Sequence, residues 1–442
     1  MKFDNIIIGF GKGGKTLAKK LSEKKQSVLL IEQSNKMYGG TCINVGCIPS
    51  KSLIKSASKK ISFVEAVKEK NELVKKLREK NFRMIDDEET AKVINGTAKF
   101  LSNYTIEIKK SNGDIQVVEG EHIFINTGSK PVVLPIKGLN DSSHVVDSTG
   151  IMNLEKLPEK LVIIGAGYIG LEFASMFKDF GSEVTILDSM DKFLPREDED
   201  IASLIYKDLV EKGIAIHLGV AIDEIKDSQG NVYIKYREND SKKVISASNI
   251  LIATGRKANT DNLGLDSTDI SIDDRGNIVV DDYLKTSVRN IWALGDVKGG
   301  LQFTYISLDD YRIIIDQLFG DGKRTTRNRA NVPYSVFIDP PLSNVGLTET
   351  EARNKNIDFK IYKQEFAKLP KALVLNRFKG IIKILVNNDN KKIIGASIYG
   401  VESHEVINLI TLAMNADLPY TILRDQIFTH PTISEVLNDV LK

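Results

Sequence analysis

The stretch Phe3-Asp-Asn-Ile-Ile-Ile8-Gly9-Phe-Gly11-Lys-Gly-Gly14 decides the architecture of this chain. Phe3 to Ile8 has the apolar, β-branched make-up of a buried strand. Gly9, Gly11 and Gly14 follow in G-x-G-x-x-G spacing, and Lys15 to Leu21 has a helical pattern. Val28 to Ile31 predicts the next strand, which Glu32 ends. Strand, glycine loop, helix, strand and acid is the order of a dinucleotide-binding unit. The glycines let the backbone approach a pyrophosphate at the helix N-terminus, and the acid accepts hydrogen bonds from a ribose.

The order recurs downstream. Leu161 to Ile164 predicts a strand, Gly165, Gly167 and Gly170 form the loop, and Leu171 to Phe177 predicts a helix. Val184 to Leu187 is the second strand and Asp188 its terminal acid. Gly14 to Glu32 and Gly170 to Asp188 are both eighteen positions. Two dinucleotide sites are expected; the alternative is a duplication in which one site is dead, although both copies keep their glycines and acid.

Just beyond the first unit lies Gly39-Gly40-Thr41-Cys42-Ile-Asn-Val-Gly46-Cys47-Ile-Pro49-Ser-Lys51, and its cysteines are the only two in 442 residues. The one internal disulfide the chain can form joins them. A regular helix over 42–47 would hold the Cα atoms about 8–9 Å apart, whereas a disulfide needs about 7 Å or less. The helix must be distorted or just starting here, with Gly46 and Pro49 loosening it. A disulfide in so short a loop is easily reduced, which suits catalysis more than stapling. Two inert buried thiols are the bland alternative.

The length predicts about three domains. With 61 basic and 59 acidic residues the formal net charge is +2, which gives no reason to expect nucleic acid or a membrane as partner. The N-terminus runs directly into a strand, without a leader pattern or a spanning apolar run. A cytoplasmic setting is expected, where a disulfide is more often catalytic than structural. Ser56 to Phe82 predicts an amphipathic helix with a solvated charged face. Lys92 to Lys109 and Ile115 to Ile125 predict strands, closed by Asn126-Thr127-Gly128-Ser129-Lys-Pro131. Ile214 to Thr254 is strand-rich and ends in Ala253-Thr254-Gly255-Arg256. Ile278 to Val280 leads to Ile291-Trp-Ala-Leu-Gly295-Asp296. Asn328 to Pro333 predicts a linker. The remainder, with strands at Phe378–Val386 and Lys392–Tyr399 and helices at Ser403–Asn415 and Ser434–Leu441, predicts a separate α+β domain.

Over its full length the chain resembles the pyridine nucleotide–disulfide oxidoreductases, the flavoprotein family of glutathione reductase, dihydrolipoamide dehydrogenase and mercuric reductase. Gly39–Lys51, the two glycine loops, Ala253–Arg256, Gly295-Asp296 and His430-Pro431-Thr432-Ile-Ser-Glu435 carry the resemblance in family order. It implies an α/β fold with two Rossmann-like dinucleotide-binding domains and a C-terminal α+β dimerisation domain. The implied bounds are 1–147 for FAD, completed by 259–330, then 148–258 for NADH or NADPH, and 331–442 for the interface. FAD would be held by Gly9, Gly11, Gly14, Glu32, Gly40, Thr41, Thr127, Gly128 and Asp296, with Lys51 by its ring. Gly165, Gly167, Gly170, Asp188 and Gly255 would hold the nicotinamide nucleotide, and Tyr168 would gate its pocket. Cys47 would face the flavin as the charge-transfer thiolate, and Cys42 would attack the substrate. Glu172 would pair with Lys51. His430 and Glu435 would reach the cysteines of the other subunit, making a homodimer obligatory. No resident metal is implied.

The chemistry asks for these types: a thiolate nucleophile needs a base, and a carboxylate fixes the tautomer of a histidine. His122, His144, His217 and His404 read as ordinary core or surface histidines. A closer similarity is to the RclA-type reductases, also described as hypothiocyanous acid reductases and mercuric reductase-like. It rests on Gly9–Leu17, Ile31–Gly40, Leu301–Arg312 and Leu423–Phe428. It implies a small-molecule oxidant as substrate, hypothiocyanous acid above all. The alternatives are reduction of copper or mercury ions, dihydrolipoamide dehydrogenation, or a flavin redox sensor that does not turn over. Mercuric reductases carry an additional C-terminal cysteine pair that Leu441-Lys442 lacks.

Overall fold

Apolar runs at Lys2–Ile8 (β1) and Val28–Glu32 (β2) lie parallel and buried on both faces, in a computed structural model that describes all residues, 1–442. Burial on both faces is why these runs are continuous rather than alternating. Between them helix α1 (Lys12–Glu23) buries Gly14, Leu17, Ala18 and Leu21, one stripe at helical spacing. Each leucine so buried contributes about 1.5–3 kcal/mol. The sheet continues through Ala91–Asn95 (β3) beside β2 and through Ile115–Ile125 (β6) beside β1. Thr97–Phe100 (β4) and Thr105–Lys109 (β5) extend it antiparallel from β6. β6 changes partner along its length: its first half pairs with β5, and its last residues take the strand Ile291–Ala293.

The second unit holds its own parallel sheet, in the order 214–217, 183–187, 160–164, 249–252, 145–146. A three-stranded antiparallel sheet, 221–247, follows the same chain region. The C-terminal part is a five-stranded antiparallel sheet covered by the helix Ser403–Asn415, whose Val406, Ile407, Ile410 and Ala413 face it. Within this unit Lys383 is buried among Asp198 (3.0 Å), Asp200 (3.2 Å) and Glu349 (2.6 Å), tying the helix start at 198–200 to the C-terminal sheet.

Several expectations are corrected. The chain forms two compact units: 1–133 with 147–155 and 255–328, and 134–146 with 156–254 and 329–442. In the second unit Val145–Val146 pairs with Asn249–Ile252. In the first unit Arg256–Ala258 pairs with Ser129–Pro131. The helix expected at 56–82 is two, Cys47–Ser58 (α3) and Phe63–Asp86 (α4), broken where Lys60 has a left-handed backbone. Ser62 caps α4 by accepting from the Glu65 N–H. Its charged face is not wholly solvated: Lys70 is 2% exposed and donates to the Met152 carbonyl and Asn153 Oδ1, both at 2.7 Å. The stretch 434–441 is a 3₁₀ turn followed by a one-turn helix, 436–440.

Candidate active site

The two glycine loops have the same geometry. Gly9 and Gly165 have φ of +105° and +108°, and a Cβ there would lie 2.3 and 2.6 Å from the carbonyl oxygens of Asn126 and Ala253. A Cβ on Gly14 or Gly170 would meet the Gly9 or Gly165 carbonyl oxygen at 2.5 or 2.0 Å. Only glycine lets the helix start this close to the strand. Gly11 and Gly167 each cap the following helix with extended backbone. The acids are placed alike: Glu32 accepts from the Phe10 N–H (3.0 Å) and Ser34 N–H (3.2 Å). Asp188 accepts from the Ala166 and Met190 N–H groups. Burial pushes the Glu32 carboxyl up, against the pull of those N–H groups.

Each loop also leaves one buried hydroxyl without a partner, Thr127 Oγ1 after β6 and Thr254 Oγ1 after the strand 249–252. The following Gly128 and Gly255 have positive φ, and a Cβ there would meet open space. Orphaned hydroxyls and glycine cradles at equivalent places fit a dinucleotide at each loop. Gly255 itself falls in the first unit, whereas the other residues expected at the second nucleotide lie in the second unit.

The cysteines sit where a helix has been interrupted. Gly40–Asn44 (α2) ends at Val45, Gly46 takes φ −129° and ψ −117°, and α3 starts at Cys47. Pro49 therefore falls in the first turn of α3, where its missing N–H costs nothing; the break lies before it. Gly40 packs so tightly on the first loop that a Cβ would stand 2.7 Å from Gly11 Cα. Thr41 lies in the same short helix, and its carbonyl accepts the Val45 N–H at 2.9 Å. Both cysteines are free thiols, Cys42 half-buried and Cys47 exposed. A shared hydrogen bond with Cys47, and then burial, push the Cys42 thiol well up; the Thr304 hydroxyl and the Lys15 ammonium act against that. Cys47 Sγ lies 3.8 Å from Thr304 Oγ1. Lys51 stands one turn beyond Cys47 on α3.

Asp296 accepts from Ser129 Oγ (2.8 Å), and Arg256 holds that serine through Nε (2.9 Å) and Nη2 (2.6 Å). In the second unit Glu172 accepts from the Phe337 N–H at 2.8 Å. Tyr168 and Tyr334 stack and donate to one oxygen of the buried Glu197, at 2.5 and 2.9 Å. Burial pushes Glu197 up. His430 Nδ1 lies 2.9 Å from Glu435 Oε1, while the other carboxylate oxygen accepts the Thr432 N–H at 2.7 Å. This carboxylate orients an imidazole that is 71% exposed.

Residues 3–310 match the model of the pyridine nucleotide-disulphide oxidoreductases, and residues 332–441 match that family's dimerisation domain. The chain belongs to this family. It is 49% identical, over 99% of its length and 98% of the relative's, to the probable pyridine nucleotide-disulfide oxidoreductase RclA of Escherichia coli K12. A dihydrolipoyl dehydrogenase of Chlamydia pneumoniae is 32% identical over 98% of this chain and 95% of its own length. Among solved structures, the Cu(II) complex of the HOCl-induced flavoprotein disulfide reductase RclA of Escherichia coli superposes with a TM-score of 0.97 at 49% identity. It covers 100% of this chain and 99% of its own. Membership implies a flavin and a pyridine nucleotide as cofactors, and the dimerisation domain a homodimer. No helix is long and apolar enough to cross a membrane.

Some of the site escaped the sequence reading. Asn126 ties the first loop together: Oδ1 accepts the Gly14 N–H (2.8 Å) and Nδ2 donates to the Leu294 carbonyl (2.8 Å). Ser307 accepts the Gly13 N–H at 3.1 Å. Thr304 and Tyr305 reach the cysteines from the helix 304–319, and Tyr305 is pushed up by burial and then by Cys47. The only sequence signal for them was that residues 301–312 depart from the small-residue pattern of the wider family.

Proposed function

We propose that this chain is an FAD-dependent NAD(P)H oxidoreductase. It would reduce a small oxidant, hypothiocyanous acid above all, through Cys42 and Cys47, as a cytoplasmic homodimer in oxidative-stress defence. One observation carries the reading: the only two thiols of the chain flank the break of an interrupted helix whose start packs on the first dinucleotide loop. Bound here, FAD would supply the two-electron chemistry that links a nicotinamide nucleotide to the Cys42–Cys47 pair. Gly9, Gly11, Gly14, Glu32, Gly40, Thr41, Lys51, Thr127, Gly128 and Asp296 would hold FAD. Gly165, Gly167, Gly170, Asp188 and Gly255 would hold the nicotinamide nucleotide, with Tyr168 at its entrance.

Cys42 is assigned as the attacking thiol. Exposure alone runs the other way, so the assignment rests on the order of the motif: Cys47 shares α3 with Lys51, the residue assigned to the flavin ring, which leaves Cys42 as the outward thiol. The Cys42 thiolate attacks the sulfur of HOSCN, forming an S–S bond and releasing hydroxide, which takes up a proton. The Cys47 thiolate then attacks Cys42 Sγ, closing the disulfide and expelling thiocyanate. His430, oriented by Glu435, would accept and return protons at the cysteines of the other subunit. Glu172 would pair with Lys51.

A second reading is Cu(II) reduction, favoured by the copper complex of the Escherichia coli relative. A substrate panel on the purified flavoprotein, following NAD(P)H absorbance, decides. Hypothiocyanous acid is expected to give the highest kcat/KM. A value about a hundredfold higher for Cu(II), glutathione disulfide or lipoamide, some 2.7 kcal/mol of transition-state preference, overturns the assignment. Stoichiometric oxidation without turnover would make the chain a sensor.

A further inference from the structure

Gly9-Phe-Gly-Lys-Gly-Gly14-Lys15-Thr16 also satisfies the pattern G-x-x-x-x-G-K-T, in which the lysine reaches nucleotide phosphates and the threonine a metal ion. The geometry rejects that role. Thr16 Oγ1 donates to the Lys12 carbonyl (2.7 Å). Lys15 turns inward, is 5% exposed, and donates to Asn81 Oδ1 of α4. The amide of Asn81 is fixed in this sense because its Nδ2 donates to the Leu77 carbonyl (2.6 Å). Asn81 Cγ lies 3.3 Å from the Cβ position of Gly39, the residue that caps the N-terminus of α2. The ammonium thus lies under the short turn that carries Cys42. No carboxylate pairs with it. The ionisable groups whose charge acts on it are Lys12 on its own helix and Cys42 on α2, while Arg78 of α4 is turned to Asn44 Oδ1 (2.8 Å). A buried ammonium without a counter-ion is costly, and the anion available to it is the Cys42 thiolate.

We propose that Lys15 is a positioning residue for Cys42, its buried ammonium stabilising the thiolate that attacks the oxidant. Burial, and then Lys12, pull Lys15 down to about 8, which leaves it charged at neutral pH. The inference rests on the assignment of Cys42 as attacking thiol, but its test needs no oxidant, so it stands or falls apart from the substrate panel.

In flavin-loaded Cys47→Ser protein, Cys42 is the only thiol, and its alkylation by iodoacetamide is measured against pH. Adding Lys15→Met is expected to raise the alkylation midpoint by about one unit, roughly tenfold slower reaction at pH 7. Lys15→Arg restores the charge and is expected to return the midpoint close to its starting value, which a merely structural lysine would not do. Asn81→Asp gives Lys15 a carboxylate partner and is expected to raise the midpoint as well. An unchanged midpoint in Lys15→Met, or an arginine variant displaced as far as the methionine one, overturns the proposal. If Lys15→Met does not retain flavin, Asn81→Asp decides: a raised midpoint supports the role and an unchanged one overturns it.

Discussion

Gly167 and Gly170 sit three residues apart in the second loop, yet adding a methyl group to each should fail in different ways. At Gly170 the new Cβ would lie 2.0 Å from the Gly165 carbonyl oxygen, a backbone atom that cannot swing aside. Overpacking of this kind costs about 1–3 kcal/mol, which lowers Tm by about 2–10 °C in a unit of this size. At Gly167 φ is −70°, open to any residue, and a Cβ would meet nothing within 4 Å. Alanine loses some helix-capping preference there and gains from a stiffer unfolded chain, two effects of about 0.5–1 kcal/mol and opposite sign. Gly167→Ala should therefore leave Tm almost unmoved while its methyl stands in the path of the pyrophosphate. A binding loss of about 1–3 kcal/mol corresponds to a KM for NADH raised about 5–150-fold. Thermal unfolding and NADH titration of both variants provide the assay. A Gly167→Ala protein that melts as low as Gly170→Ala, or keeps KM within about twofold, would refute the assignment of this loop to the nucleotide.

Three further outcomes are expected. Cys42→Ser should keep the long-wavelength thiolate–flavin charge-transfer absorbance and Cys47→Ser should lose it, with neither variant turning over; a band that persists in Cys47→Ser reverses the two roles. NADH should be preferred to NADPH, because Asp188 ends its strand as a carboxylate that repels a 2′-phosphate, although Lys192 and Arg196 follow closely; a kcat/KM for NADPH well above that for NADH excludes this. Burial pulls Lys70 down to about 8, below its unfolded value near 10.4. The unfolded chain then holds the extra proton between those values, so stability should rise by about 1–2 kcal/mol as pH climbs through that window. Lys70→Met should flatten this rise in denaturant titrations at pH 8 and pH 10, and an unchanged slope would count against it.

What could be read without coordinates was whatever covalent spacing alone enforces. Gly9, Gly14 and Glu32, and their counterparts Gly165, Gly170 and Asp188, are set by the rise of one strand and one helix, so eighteen positions sufficed to pair them. The His430–Glu435 pair is local in the same way. Asn126 was illegible because its partners, Gly14 and Leu294, lie 112 and 168 positions away. Lys15 and Lys70 resembled the solvated lysines around them; burial against Asn81 of α4 and beside Met152 is a tertiary fact that helical periodicity does not encode. The break at Lys60 turns on a backbone conformation that apolar content does not report.

The change of partner along β6 has a consequence for synthesis on the ribosome. Its last residues and Asn126 wait for Ile291–Ala293 and the Leu294 carbonyl, and the Asn126–Leu294 bond spans 168 positions. At about 5–20 residues per second this strand keeps an unpaired edge for roughly 10–30 s after it emerges. Meanwhile all five strands of the inserted parallel sheet, 145–252, have been translated. The nascent chain can thus close its second nucleotide fold before its first, and the bare edge of β6 is where a growing polypeptide of this design is open to wrong pairing.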